Sequence, residues 1–277
     1  MKCLVVGYGN MGSVHAKYFQ KNNIDWGWYD PEPKGPDNKR ILTLEKAKDF
    51  DKIFITSPEH THYENYKKIR EVGYDGYIFV EKPAALNIDH VAEMLSDKKV
   101  MVGMVERFNP AVQALKSVID KDKLINIDFS RCCVSSKSSQ VSIFEDIGLH
   151  DIDLLFFLLS LDKVESYKVF TVDKTTIFTS RAPLCRMIWS KDTFFKERKI
   201  IVRQTDCTYE VDLQEQSVIK HWEINGHHVS QSLFVEKSSP IENEQNFFFK
   251  GGVIDCQKSH NLLLGLIEPN EDRNFRI

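Results

Sequence analysis

Asp146 and His150 stand four residues apart at the start of a strongly apolar run, so on a helix they share one face. A carboxylate beside an imidazole fixes the ring's tautomer and supports its charged form, as a general base for an alcohol proton requires. The same pair also serves as a helix cap with a surface ion pair, and spacing alone leaves both uses open. A second group is Glu81-Lys82-Pro83, directly after the apolar run Tyr77-Ile78-Phe79-Val80. At the carboxyl end of a parallel strand, a lysine faces the ligand crevice, where burial lowers its pKa and it can hold a substrate oxygen. Position alone favours the plainer reading, a surface lysine at a strand end. In Glu106-Arg107-Phe108-Asn109-Pro110, Arg107 offers a planar fork of donors suited to a phosphate or carboxylate. Asn109 offers a donor and an acceptor, and its place before a proline also suits a helix cap.

Hydride or proton chemistry at such groups needs a second reactant, and the first dozen residues offer a place for one. The strand-like run Cys3-Leu4-Val5-Val6 leads into Gly7-Tyr8-Gly9-Asn10-Met11-Gly12 and then a helical pattern through Val14, His15, Tyr18 and Phe19. Gly7 allows the tight turn, Gly9 lets the backbone approach a pyrophosphate, and Gly12 lets the helix pack close to the sheet. The helix N-terminus adds free N–H groups and a positive dipole end, so Gly9, Asn10, Met11 and Gly12 are read as a dinucleotide cradle. A second strand, Ile24 to Tyr29, ends at Asp30, where a carboxylate would grip an adenosine ribose 2′-hydroxyl. Asp30 favours NAD over NADP, because a 2′-phosphate would meet a carboxylate with no arginine beside it and only Lys34, set off by prolines, nearby.

The elements that would position these groups alternate strand and helix over the first hundred or so residues, which predicts a parallel sheet with crossover helices. Ile53–Thr56 is a strand stopped by Ser57-Pro58, and Asn87 and Asn109 are placed to cap helices. Beyond residue 124 the texture changes. A polar stretch at 135–140 precedes an apolar helix over 147–161, and 165–235 is rich in β-branched and aromatic runs with turn breaks. That pattern predicts a second, α+β domain with a large, mostly antiparallel open sheet, and a final helix over 253–267. The chain is therefore cut into 1–108 and 109–277. Asn225-Gly226 signals a hairpin that exposes His227 and His228, and Phe247–Phe249 are read as cover for the antiparallel sheet or a subunit contact.

Composition narrows the classes. A net charge of −3 and the absence of a basic stripe argue against nucleic acid, and no apolar run approaches the length of a bilayer span. The six cysteines lack a CxxC pair or zinc spacing, which predicts reduced thiols in the cytoplasm, and His60 with His62 has no partners to make a metal site.

In order, these motifs resemble the Gfo/Idh/MocA family, named for glucose–fructose oxidoreductase and inositol dehydrogenase. The matching residues are Gly7 to Gly12, Pro58 with His62, Glu81-Lys82-Pro83, and Asp146, Gly148, His150 and Asp153. The resemblance implies a Rossmann domain followed by an α/β domain whose open sheet mediates a homo-oligomer, a dimer or tetramer. It implies Lys82, Asp146 and His150 as the catalytic trio, acting on a bound substrate. Thr56, Ser57 and Pro58 would line the nicotinamide ribose, mostly through backbone, and His62, Glu81 and Lys82 are further cofactor contacts. The segment Val102 to Val112 is similar to members that oxidise the 3-hydroxyl of UDP-N-acetylglucosamine, with Arg107 and Asn109 as further substrate contacts. Two alternatives stand beside that reading: a polyol or other sugar dehydrogenase of the same family, and a non-catalytic nucleotide-binding sensor.

Overall fold

The structure is a computed structural model describing residues 1–32, 35–134 and 142–267; Lys34 and the polar stretch 135–140 lie outside the described residues. It divides into two compact units, Met1–Met104 with Glu244–His260, and Val105–Asn243 with the remainder of the chain.

The first unit begins with β1 (Lys2–Val6), α1 (Asn10–Lys21), β2 (Asp25–Tyr29), β3 (Lys52–Ile55) and α2 (His62–Glu71). It continues with β4 (Tyr77–Val80), α3 (Ile88–Ser96) and β5 (Val100–Val102). All five strands are parallel, in the order β2-β1-β3-β4-β5. Their residues are almost all apolar and buried, because helices cover both faces of a parallel sheet. Strand order reverses between β1 and β3, and in open α/β sheets that switch point is where ligands bind, at the carboxyl ends of the strands. The ends of β1, β2, β3 and β4 therefore bring Gly7, Asp30, Thr56 and Glu81 to a single edge.

The second unit holds α4 (Pro110–Val118), β6 (Leu124–Val134), α5 (Leu149–Leu159), β7 (Lys168–Val172), β8 (Thr175–Arg181) and β9 (Leu184–Thr193). Strands β10 (Glu197–Gln204), β11 (Thr208–Asp212), β12 (Ser217–Ile224) and β13 (His227–Ser232) complete a sheet ordered β13-β12-β11-β10-β6-β9-β8-β7. Every pairing is antiparallel except β6 with β9. Alternating burial along β8, β10 and β11 leaves one face in solvent, as the alternation in sequence predicts. The Asn225-Gly226 turn has positive φ at both residues, and His227 and His228 are exposed as expected.

Two sequence expectations change. The units divide between Met104 and Val105 rather than at 108, and Glu244–His260 return to the first unit through α6 (Pro240–Phe249) and the start of α7 (Gln257–Ile267). The cause is aromatic. Phe248 is fully buried, with its ring 5.2 Å from Phe54 and 5.5 Å from Phe79, and Phe249 stacks on Tyr18 at 5.7 Å. These phenylalanines therefore cover the parallel sheet, not the antiparallel one.

Candidate functional site

At the end of β1, a Cβ on Gly7 would collide with the Ser57 backbone, and φ of +96° reinforces the need for glycine. A Cβ on Gly12 would strike the Gly7 carbonyl, whereas at Gly9 nothing lies within 4 Å. Two glycines thus serve packing and the third leaves backbone open. Gly9, Asn10 and Met11 are all exposed at the N-terminus of α1, where N–H groups point at an incoming anion. This surface fits a pyrophosphate.

Asp30 closes the other side of the loop. Its Oδ2 accepts the Tyr8 N–H at 2.9 Å and its Oδ1 accepts that of Glu32 at 3.0 Å. Arg40 is close by in space, donating from Nη2 to the Asp30 and Pro31 carbonyls at 3.2 and 3.3 Å. The reading that no arginine stands beside Asp30 is corrected here, since a parallel bridge between Trp28 and Arg40 brings the residue back.

The Thr56 hydroxyl donates to the Gly7 carbonyl at 2.6 Å, so its side chain fastens the loop and leaves only backbone for a ligand. The Ser57 hydroxyl receives Thr61 Oγ1 at 2.7 Å and Asn65 Nδ2 at 3.0 Å. His62, expected beside the cofactor, is fully buried with Nε2 at 2.7 Å from the Ser57 carbonyl and Nδ1 at 2.8 Å from the Pro83 carbonyl. Both nitrogens face carbonyl oxygens, so the neutral ring donates to one of the two and only the protonated ring donates to both. Burial pulls its pKa below the ordinary value, against the two carbonyls and the charge of Glu81. Glu81 Oε1 meets Nε2 of the buried His15 at 2.9 Å. Lys82 is half-buried, and its bond to Pro83 is cis.

In the second unit His150 is half-buried near the start of α5. A wide π-turn over Phe144–Gly148 precedes the helix, so Asp146 lies in that turn rather than in regular α-helix. Such turns recur at functional sites because they re-aim side chains. Asp146 Oδ2 pairs with Lys191 Nζ at 2.7 Å, a lysine on β9 whose sequence surroundings give no sign of this partner. Asp151 and Asp153, flanking His150 in sequence, are buried. Asp151 Oδ1 takes Nε and Nη2 of Arg131 at 2.9 and 2.8 Å, and its Oδ2 takes Trp189 Nε1 at 3.0 Å. Arg131 Nη1 also reaches Glu106 Oε1 at 2.8 Å. Burial pushes the Asp151 carboxyl up despite Arg131. Glu106, equally desolvated, is held below the carboxylate range by Arg131, Arg198 and the Asn109 amide.

Two expected substrate contacts prove to be engaged within this unit. Arg107 forks onto Asp153 with Nε and Nη2, each at 2.6 Å, and is stacked over Phe157 at 5.3 Å. Asn109 is buried, with Oδ1 capping α4 at the Ala111 N–H (3.0 Å) and Nδ2 donating to the Leu213 carbonyl at 2.9 Å. Asn109 is thus held as a helix cap, and Arg107 commits Nε and Nη2 to Asp153.

No family model matches the chain. Among curated proteins, inositol 2-dehydrogenase of Rhizobium meliloti (strain 1021) is 28% identical over 185 residues, covering 58% of this chain and 55% of that protein. The chain thus spans about half the length of the curated relative it matches. Among solved structures, UDP-N-acetylglucosamine 3-dehydrogenase from Acidithiobacillus ferrooxidans superposes with a TM-score of 0.80 at 16% identity, over 96% of this chain and 95% of that one. Levoglucosan dehydrogenase in complex with NADH gives 0.77 at 13% identity, over 96% and 94%. The two-sheet fold is therefore shared with these solved structures.

Proposed function

We propose that the protein is an NAD-dependent dehydrogenase that oxidises a secondary alcohol of a sugar or nucleotide sugar. The observation that carries this reading is the exposed, Cβ-free approach at Gly9, on the same sheet edge as Asp30 and Lys82. Asn10 and Met11 would offer backbone N–H groups to the pyrophosphate, Asp30 would meet the adenosine ribose, and the backbone of Thr56 to Pro58 would flank the nicotinamide ribose. When bound, the nicotinamide supplies the hydride acceptor. Lys82 holds the alcohol oxygen and steadies its developing negative charge, and His150 removes the hydroxyl proton. Asp146, itself held by Lys191, orients the imidazole.

UDP-N-acetylglucosamine is the first substrate to test, on the likeness of the Val102–Val112 segment and the shared fold; inositol is the second, on the curated relative. A homo-oligomer through the open sheet is supported by solvent-facing Phe170, Ile177 and Leu184. Six free thiols suit a reducing, cytoplasmic setting. Among the described residues, no helix is long and apolar enough to cross a membrane.

The test follows nicotinamide absorbance with each sugar in turn. One of them should drive reduction, and Lys82→Ala and His150→Ala should each cost roughly 10²–10⁴-fold in turnover. Ligand-dependent thermal stabilisation without any cofactor reduction would instead establish the sensor reading. Tighter binding of NADP than of NAD would overturn the role given to Asp30, with Arg40 as the group responsible.

A further inference from the structure

Three buried histidines from three separate segments converge on the four-residue turn that carries Lys82. His15, His62 and His260 are 0%, 1% and 0% exposed. His15 on α1 holds the Glu81 carboxylate through Nε2, while Gln245 Nε2 donates to its Nδ1 at 2.8 Å and so leaves the proton on the Glu81 side. His62 on α2 brings its Nδ1 to 2.8 Å from the Pro83 carbonyl oxygen, which can only accept. His260 on α7 accepts the Ala84 N–H with Nε2 at 3.1 Å, and its Nδ1 is 3.0 Å from the Cys256 carbonyl. The Glu81 N–H is bonded to the Ile55 carbonyl at 2.9 Å. The residues on both sides of Lys82 are therefore fixed through side chain, carbonyl and N–H.

Burying an imidazole is unfavourable unless its nitrogens are matched, and an apolar side chain would fill the same volume more cheaply. Three such groups spent on a single turn imply that the turn's position matters more than its packing. We infer that His15, His62 and His260 are positioning residues that set the place of the Lys82 ammonium. This inference deepens the dehydrogenase reading and rests on it for its catalytic consequence. An imidazole is suited to the task because one rigid ring joins two partners on opposite sides, with two torsions to immobilise.

The decisive variants are His260→Leu, which removes the bond to Ala84, and His260→Gln, whose amide can accept and donate in the same directions. Reductively ¹³C-methylated protein reports Lys82 directly by NMR, its resonance assigned by loss in Lys82→Arg. His260→Leu should shift or broaden that resonance and lower kcat by roughly 10–100-fold, with the cofactor dissociation constant unchanged. His260→Gln should restore both. A folded His260→Leu with wild-type resonance and wild-type kcat overturns the inference. Should His260→Leu fail to fold, His62→Leu with His62→Gln as its rescue is read by the same two signals. If no sugar is turned over by any form yet the resonance still moves, the clamp stands and the dehydrogenase reading falls.

Discussion

The two units fix their titratable side chains by opposite means. Around Lys82 the supporting groups are neutral or nearly so: imidazoles against carbonyls and an N–H, with one carboxylate at the margin. Around His150 the support is mainly ionic, with the Trp189 N–H added at Asp151. Asp151 and Asp153 turn inward on α5 and are each matched by a guanidinium, Arg131 and Arg107. The difference teaches where each half is fragile. A neutral hydrogen bond can be replaced by another of similar geometry at small cost. Removing one member of a buried ion pair strands a charge in a place water cannot reach.

The largest effect should come from breaking the ionic side. Arg131→Met leaves Glu106 and Asp151 desolvated without their shared partner, and denaturant unfolding should show a loss of about 3–5 kcal/mol. The double variant Arg131→Met with Asp151→Leu should recover much of that. A single variant as stable as wild type would dissolve the contrast between the two units. Next, Trp189→Phe keeps an aromatic ring but withdraws the indole N–H from the Asp151 carboxylate and leaves a cavity where the larger ring packed, and a loss of at least about 1.5–3 kcal/mol is expected by the same measurement. Asn109→Ala removes the cap of α4, for about 1 kcal/mol by thermal or chemical melting, with no change in substrate KM if Asn109 serves the fold as described.

The smallest effect sharpens the neutral side. Burial holds the His62 pKa below its ordinary 6.5, so the folded protein takes up that proton at lower pH than the unfolded chain. The stability that neutral His62 contributes is complete above about pH 6.5 and is lost progressively as pH falls toward the folded value. Unfolding midpoints of wild type and His62→Gln, measured from about pH 7.5 to 5, should converge as the pH is lowered. Parallel curves would mean that His62 is not the titrating group.

Parts of the site were legible because their logic is local. Gly12 packs against the Gly7 carbonyl and Gly7 takes the positive φ of its own turn, although Ser57 beyond β3 also closes its Cβ space, and the caps at Asn87 and Asn109 act within three residues. Arg107 shows the opposite case: its partner Asp153 lies 46 residues away, so the pairing leaves no trace in the local sequence. Arg131 sits in an ordinary alternating strand, Lys191 in the polar run Ser190-Lys191-Asp192 of β9, and His260 in a helix whose pattern shows only its apolar face. None has a neighbour in sequence that hints at its role.

Strand and helix alternation, the glycine loop, the helix caps and the hairpin turn were determined by the chain itself, since each depends on torsions and hydrogen bonds among residues a few positions apart. Which polar groups remain available to a ligand was decided only by tertiary structure. An arginine or histidine has one set of donors, and whether a distant carboxylate or carbonyl consumes them depends on contacts that close only when the sheets assemble.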